Sequence, residues 1–432
     1  MINDLKTFTK IFRAHYKNSP PNNAKLIDYF NVTYSKYSLQ NLHRLQKIKS
    51  KKFSRITNYF KEFVSSASAI SFQLTNKHGI EKFDKLVLTT GQCSDVSNDG
   101  NYRDRYFNEN SKDHPKILWF VVNLDNRPPN KISKNVLFFT NKNDKFVFLK
   151  NLVVLIIKKI LFFLWDKNKF FYLEVLSENI WKNINNSVDI TKIKTVITPY
   201  EGQPFQNYLY YKVKNINKKI KTIGYVHATQ GLPIHLFKRD GAPELLYVHG
   251  KDQKYHLVKF FGWNKKLIRV IPSLKIRKKN KQKYQNIIFL PFYIEDVEFY
   301  LENFELLIQS YKEKLSNNLK IKIHPHKEND KKHIEFKKSL LSILKKFKLN
   351  KKIKHCGPII IGPASVILEA LENKLNVYHI HKNILLDGYS NYYWPNINVR
   401  SIKKYKISFY RLRKTNTCID IDSKKNIDFL TN

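Results

Sequence analysis

The feature that most constrains the fold is a change of pattern near Ala69. From there on, short apolar runs without polar alternation take turns with longer stretches of helical periodicity. The runs are Ile70–Leu74, Lys85–Thr89, Ile117–Asn123, Val136–Thr140, Thr195–Pro199, Thr222–His227, Leu245–Val248 and Leu267–Ile271. A continuous apolar run of this length suits a strand buried on both faces of a parallel sheet. Helices are expected between several of them, at Gln203–Lys219 and Lys251–Phe261. A polar basic stretch, Lys275–Gln285, reads as a linker, and then the pattern restarts. Strands are expected at Ile287–Pro291, Leu319–His324, Ile359–Gly362 and Leu375–Ile380, with helices at Ile294–Lys314, Lys331–Leu349 and Ala364–Asn373. Strand–helix alternation of this kind predicts an α/β protein with two doubly wound units. The expected division is a helical N-terminal extension at 1–65, a first α/β domain at 66–275, a second at 286–395 and a polar basic tail at 396–432.

Composition narrows the function classes. Hydrophobic residues are 42% of the 432, enough for ordinary cores, which excludes a wholly disordered basic chain. Lys and Arg number 78 against 35 Asp and Glu, a balance of +43. The lysines are spread over the whole chain and accompany many Asn and Ile, so no specific nucleic-acid partner is expected. Attraction to an anionic membrane surface suits the charge at least as well, at about 1 kcal/mol for each nearby Lys. Three widely spaced cysteines (Cys93, Cys356, Cys418) form no disulfide framework and no CxxC pair, which suits a cytoplasmic protein. Met1–Lys10 has no apolar h-region, so no signal peptide is expected. The most apolar run, Leu152–Trp165, carries Lys158 and Lys159 at its centre and is too short to span a bilayer. It reads either as a buried helix or as an interfacial one anchored by Phe162, Phe163 and Trp165.

The candidate chemistry lies just after the expected strands, where α/β proteins bind ligands. In Thr198–Phe205 (TPYEGQPF), Gly202 lets the chain turn sharply, and Glu201 is either a general base or an acid favoured by a helix N-terminus. In Ile321–Asp330 (IKIHPHKEND), His324 ends a strand and Pro325 forces the chain out of it. His324, His326 and Lys327 suit a phosphate or diphosphate by charge-assisted hydrogen bonding, and His324 can give a proton to a leaving phosphate. In Ile359–Leu371 (IIIGPASVILEAL), Gly362, Pro363 and Ser365 lead into a helix whose first N–H groups suit an anion, although Ser365 equally suits an N-cap. Glu369 on that helix is a further candidate for substrate binding. His227 in Gly224–Gly231 (GYVHATQG) either lines the cleft or is a structural histidine. No metal site and no cofactor is expected.

The order of these motifs carries a resemblance. The sequence resembles the GT-B glycosyltransferases of surface carbohydrate biosynthesis, in particular the bacterial polysialyltransferase, sialyltransferase and capsule Kdo-transferase group. The resemblance rests on YEGQPFQ, YVHAT, Pro243–Leu274, His324-Pro325 and Gly362-Pro363-Ala364-Ser365, and runs from about Thr195 to Ile380. It implies two Rossmann-like domains facing a cleft, with acceptor on the first and nucleotide-sugar donor on the second. It implies that Glu201 activates the acceptor, and that His324-Pro325 and Ser365 contact the donor phosphate. Tyr200 stands where the group often has a second acid, and Ala364 where it has the first serine of a Ser-Ser pair.

The expected function is therefore a metal-independent glycosyltransferase moving a sugar from a nucleotide donor, CMP-linked sialic acid or Kdo in type, to a glycan or lipid-linked glycan acceptor. The setting would be capsule, polysaccharide or lipopolysaccharide synthesis, in the cytoplasm at the inner face of the plasma membrane. Two alternatives stand beside it: a CDP-glycerol-type GT-B phosphotransferase, and a non-catalytic basic protein that binds nucleic acid or a membrane surface.

Overall fold

The computed structural model describes residues 72–75, 83–123, 127–141, 153, 172–227, 229, 231, 236–274, 280–292, 294, 296–324, 327–382, 388–403, 406–413, 417–419 and 430. The expected N-terminal extension lies outside these residues, as does the Leu152–Trp165 run apart from Val153.

Among the described residues, fourteen strands form two sheets. The first sheet holds β1 (Phe72–Leu74), β2 (Lys85–Gly91), β3 (Ile117–Asn123), β4 (Val136–Asn141), β5 (Thr195–Pro199), β6 (Lys221–Tyr225), β7 (Leu245–Val248) and β8 (Ile268–Val270). Their order is β1-β4-β3-β2-β5-β6-β7-β8, and every pairing is parallel except β1 with β4. All seven residues of β3 are buried and alternate between two core clusters, Leu118 and Phe120 on one face, Trp119 and Val121 on the other. The absence of polar alternation in these runs thus has its physical cause in two covered faces. Helices α1 (Tyr172–Ser187), α2 (Pro204–Ile216) and α3 (Lys251–Phe260) supply apolar residues to the first of those clusters.

The second sheet holds β9 (Ile287–Phe289), β10 (Lys320–Lys322), β11 (Ile359–Ile361), β12 (Val377–Ile380), β13 (Ile397–Lys403) and β14 (Ile407–Leu412), in the order β10-β9-β11-β12-β14-β13. The first four are parallel, and β14 and β13 close the sheet antiparallel. Its helices are α4 (Val297–Tyr311), α5 (Lys331–Lys346) and α6 (Val366–Glu372). The chain is thus an α/β protein with two mainly parallel sheets, as expected.

Two features depart from the expectation. The segment read as a polar tail supplies β13 and β14, a hairpin at the sheet edge. Its strand β13 is mostly exposed or half-exposed, which is why it carries too few apolar residues to stand out. Helix α1 was also not expected, because its asparagines dilute the apolar stripe formed by Leu176, Ile180 and Ile184.

Strand order reverses once in each sheet. In the first, β2 to β4 run outward one way and β5 to β8 the other, so the reversal lies between β2 and β5. In the second it lies between β9 and β11. Connections diverge at such a point and leave a crevice beyond the carboxyl ends of the strands.

The two sheets share one core cluster, which runs from Leu86 and Phe120 through Phe260 and Trp263 to Ile360, Tyr393 and Trp394. The loop after β6 is part of that junction. Tyr389 Oη donates to the Thr229 carbonyl at 2.9 Å, and Trp394 Nε1 donates to the Gly231 carbonyl at 2.9 Å. Gly231 lies so close to the Gly388 carbonyl that a Cβ would collide with it. Past β14 the chain returns to the first unit. The buried Glu372 carboxylate accepts the N–H groups of Cys418 and Ile419, and Gly250 packs directly on the Cys418 carbonyl.

Candidate functional site

The turn after β5 presents Glu201. Gly202 has φ +67°, in the left-handed region that glycine enters freely. Gln206, buried on the first turn of α2, holds the turn from within. Its Oε1 accepts the N–H of Glu201 at 3.0 Å and of Gln203 at 3.1 Å, and its Nε2 donates to the Pro199 carbonyl at 2.7 Å. Glu201 therefore stands ahead of the helix, whose N-cap is Gln203. Tyr200 is fully buried, donates to Asn207 Oδ1 at 2.8 Å and packs where Gly224 leaves room. Tyr200 thus faces the core.

His227 leaves the neighbouring strand β6 at the same edge. Its Nε2 lies 3.0 Å from Glu201 Oε1, with side-chain exposures of 11% and 36%. A third group joins them from the loop after β2. The Tyr106 ring lies 4.3 Å from the His227 ring, centroid to centroid, and its hydroxyl is 2.7 Å from Thr90 Oγ1 at the end of β2. Burial pushes the Tyr106 phenol up to about 12, opposed by the Thr90 hydrogen bond and reinforced by the Glu201 charge. The loop that carries Tyr106 is organised by Asp104, which is fully buried. Asp104 accepts from Thr89 at 2.6 Å, from Tyr102 at 3.0 Å and from the N–H groups of Tyr106 and Phe107 at 2.8 Å each. Burial raises the Asp104 carboxyl above its ordinary range, opposed by these hydrogen bonds. Thr90, Tyr106, Glu201 and His227 thus converge at the reversal point of the first sheet.

A second cluster occupies the reversal point of the second sheet. Phe292 follows β9, and His324 follows β10 with its ring edge-on to Phe292 at 4.8 Å. Lys327 Nζ lies 5.1 Å above the same ring. The Lys327 N–H donates to the His324 carbonyl at 2.7 Å, which closes the turn between them. Pro325 and His326 lie outside the described residues. After β11, Gly362 has φ +71°, and a side chain there would run into Pro291 and the Tyr300 hydroxyl. Pro363 and Ser365 are exposed. Ser365 stands at the N-cap of α6 without a side-chain cap bond, so its hydroxyl is not spent on the helix. Glu369 accepts from the buried Tyr284 hydroxyl at 2.6 Å, which anchors the end of the linker. Among the described residues no three His, Cys, Asp or Glu side chains gather as a metal-ligand group.

Two histidines that sequence reasoning passed over hold this second cluster in place. His333 on α5 donates through Nε2 to the Pro291 carbonyl at 3.0 Å, while its Nδ1 meets Asp330. His379 on β12 is buried, and burial pushes it down to about 4, opposed by its bond to Gly362. The neutral ring donates through Nε2 to the Gly362 carbonyl at 2.8 Å and accepts the Tyr410 hydroxyl at Nδ1, 3.2 Å away. Tyr106 and His379 gave no local signal, because each acts on a residue far away in sequence, and Asp104 lies in a loop without periodicity.

The fold resembles solved structures only loosely. No protein-family model and no curated protein matches the chain. A UDP-GlcNAc 2-epimerase from Neisseria meningitidis bound to UDP-GlcNAc aligns with TM-score 0.35 and 11% identity, over 70% of this chain and 83% of that one. A glycosyltransferase from Rickettsia africae aligns with TM-score 0.31 and 14% identity, over 68% and 78%. The wall teichoic acid polymerase TagF, with its H444N substitution, aligns with TM-score 0.30 and 9% identity, over 69% and 70%. Alignments this loose carry no residue equivalences. Among the described residues no helix is long and apolar enough to cross a membrane.

The buried histidines make stability pH-dependent. His256 is pushed down to about 3 and His379 to about 4, and His381 also lies well below its ordinary value, all chiefly by burial. The unfolded chain takes up protons below about pH 6.5 that these rings refuse, so stability is full above that pH and is lost as pH falls. Each ring contributes a loss of about 1.4 kcal/mol per pH unit below about 6.5 until its folded value is reached. Asp252, raised to about 6, and Asp104, also raised, both chiefly by burial, act in the opposite sense, two groups against three. Urea unfolding is expected to show a lower midpoint at pH 5 than at pH 7. Equal midpoints would contradict the buried neutral rings.

Proposed function

We propose that the protein is a GT-B glycosyltransferase that moves a sugar from a nucleotide-sugar donor to a glycan acceptor in cell-surface polysaccharide or lipopolysaccharide synthesis. The observation that carries this reading is the pair of clusters at the two reversal points, a carboxylate with an imidazole on one sheet and cationic groups beside a glycine turn on the other. The first suits deprotonation of a hydroxyl, and the second suits a phosphate.

In the proposed reaction Glu201 takes the proton of the acceptor hydroxyl as that oxygen attacks the anomeric carbon of the donor. The bond from that carbon to the phosphate oxygen breaks, and the nucleotide leaves with the electron pair. Charge grows on the departing phosphate, where His324, Lys327 and the Ser365 hydroxyl are the stabilising groups and His324 can supply a proton. Helix α6 has only seven residues, so backbone N–H groups at the turn would contribute more than a helix dipole. Pro325 and His326, between His324 and Lys327, belong to the same proposed donor site, as do Gly362 and Pro363. The donor class best suited to the resemblance is a CMP-linked sugar of sialic acid or Kdo type.

The protein would work at an anionic membrane surface, and α5 is the face that suits it. Lys331, Lys338 and Lys345 are exposed at seven-residue spacing, and Ile334 and Leu341, 37% and 38% exposed, flank them on the same side. Basic residues that border apolar ones along one helix face match an anionic lipid interface.

Glu201→Gln is expected to abolish transfer while leaving donor binding intact by calorimetry, and near-normal turnover in that variant would sink the assignment. A calorimetric panel of CMP-, UDP- and GDP-sugars with CDP-glycerol identifies the donor. Saturable binding of CDP-glycerol alone would replace sugar transfer by transfer of a phosphorylated polyol. For the membrane face, sedimentation with equimolar phosphatidylglycerol and phosphatidylcholine vesicles should weaken on the order of a hundredfold when Lys331, Lys338 and Lys345 are all changed to Gln. Unaltered sedimentation would contradict the assignment of α5.

A further inference from the structure

We propose that His227 is a positioning residue for Glu201, whose ring Nε2–H fixes the plane of the carboxylate and lowers its affinity for a proton. This rests on the reading of Glu201 as the base. Glu201 sits on a turn, and its side chain is 36% exposed, so its orientation needs a partner. Among the described residues, His227 Nε2 lies 3.0 Å from Oε1. Gln203 Nε2 reaches the other oxygen only at 3.4 Å.

The ring itself cannot turn away. It is 11% exposed and lies against Tyr106, which Thr90 holds by its hydroxyl and Asp104 by its backbone N–H. The strand end behind it is fixed by Val226, whose N–H donates to the Tyr247 carbonyl at 2.9 Å. The loop beyond is fixed by the bonds to Thr229 and Gly231.

The second ring nitrogen assigns the tautomer. Nδ1 is buried and has no hydrogen-bond partner among the described residues. A proton on Nδ1 alone would leave that donor unpaired and set the Nε2 lone pair against a carboxylate oxygen, which only accepts. Nε2 therefore carries a proton and points it at Glu201. An N–H given to a carboxylate stabilises its charged form, so Glu201 stays ionised to lower pH than it would alone. Among the described residues, the titratable groups that face this pair are Tyr106, whose phenol is held neutral, and behind it the buried Asp104 and the Arg105–Asp95 ion pair. A base gains from this in two ways: one orientation toward the acceptor hydroxyl, and full ionisation at the working pH.

The test compares His227→Phe, which keeps a ring against Tyr106 and loses the donor, with His227→Gln, which carries its own N–H. Carbon-13 titration of the carboxyl groups in the full chain, with Glu201 assigned by the signal lost in Glu201→Gln, should show the Glu201 midpoint about one unit higher in the Phe variant. The Gln variant should return toward the wild-type value. With the donor identified, the Phe variant should lose kcat by about ten- to a hundredfold while its donor KM stays unchanged, as for a small misplacement of a reacting group. The acid limb of its pH profile should move up with the carboxyl midpoint. An unmoved Glu201 midpoint in the Phe variant, or a Gln variant no closer to wild type than Phe, overturns the positioning role. If Phe is not tolerated, His227→Met against His227→Gln poses the same comparison. Full turnover in Glu201→Gln would remove the base itself, an outcome separate from the titration.

Discussion

Among the hydrogen bonds that tie the two sheets together, those from Tyr389 and Trp394 end on the loop that carries His227. Tyr389 reaches the Thr229 carbonyl and Trp394 reaches the Gly231 carbonyl. These groups are buried, and leaving one such partner unmade costs about 1–3 kcal/mol. Gly231 adds a steric constraint, because only a residue without Cβ fits against Gly388. The contacts that join the two units therefore also set where His227 stands.

The same connection continues into the second sheet. The Tyr389 N–H donates to the Tyr410 hydroxyl, Tyr410 donates to His379, and His379 donates to the Gly362 carbonyl. An unbroken line of buried polar groups runs from the glycine turn of one sheet to the histidine loop of the other. Low dielectric makes such a line costly to break and keeps its members in one arrangement. The two clusters at the reversal points are thus parts of a single construction. That is what a reaction between an acceptor on one unit and a donor on the other would need.

The strands were legible because burial on both faces leaves no room for polar residues, as in Ile117–Asn123 and Ile359–Ile361. The hairpin Ile397–Leu412 was not, because an edge strand meets water and its sequence shows it. Glu201, His227, His324 and Gly362 could be picked out by place alone, since each follows an apolar run at a strand end. Their supports could not. Gln206 looks like any helix glutamine until its amide is seen to hold three backbone groups of the preceding turn. His379 reads as one more strand residue, and its partner Tyr410 comes from the hairpin that was missed. Tyr106 and Asp104 lie in a loop without periodicity, and their roles arise only when β2, β5 and β6 lie side by side.

The most direct measurement is a crystal structure of the protein with its donor nucleotide bound. The account predicts the phosphate beside His324, Lys327 and the Gly362–Ser365 turn, with the sugar end directed toward Glu201 on the facing sheet. A nucleotide seated away from both reversal points, with Glu201 remote from the sugar, would contradict it.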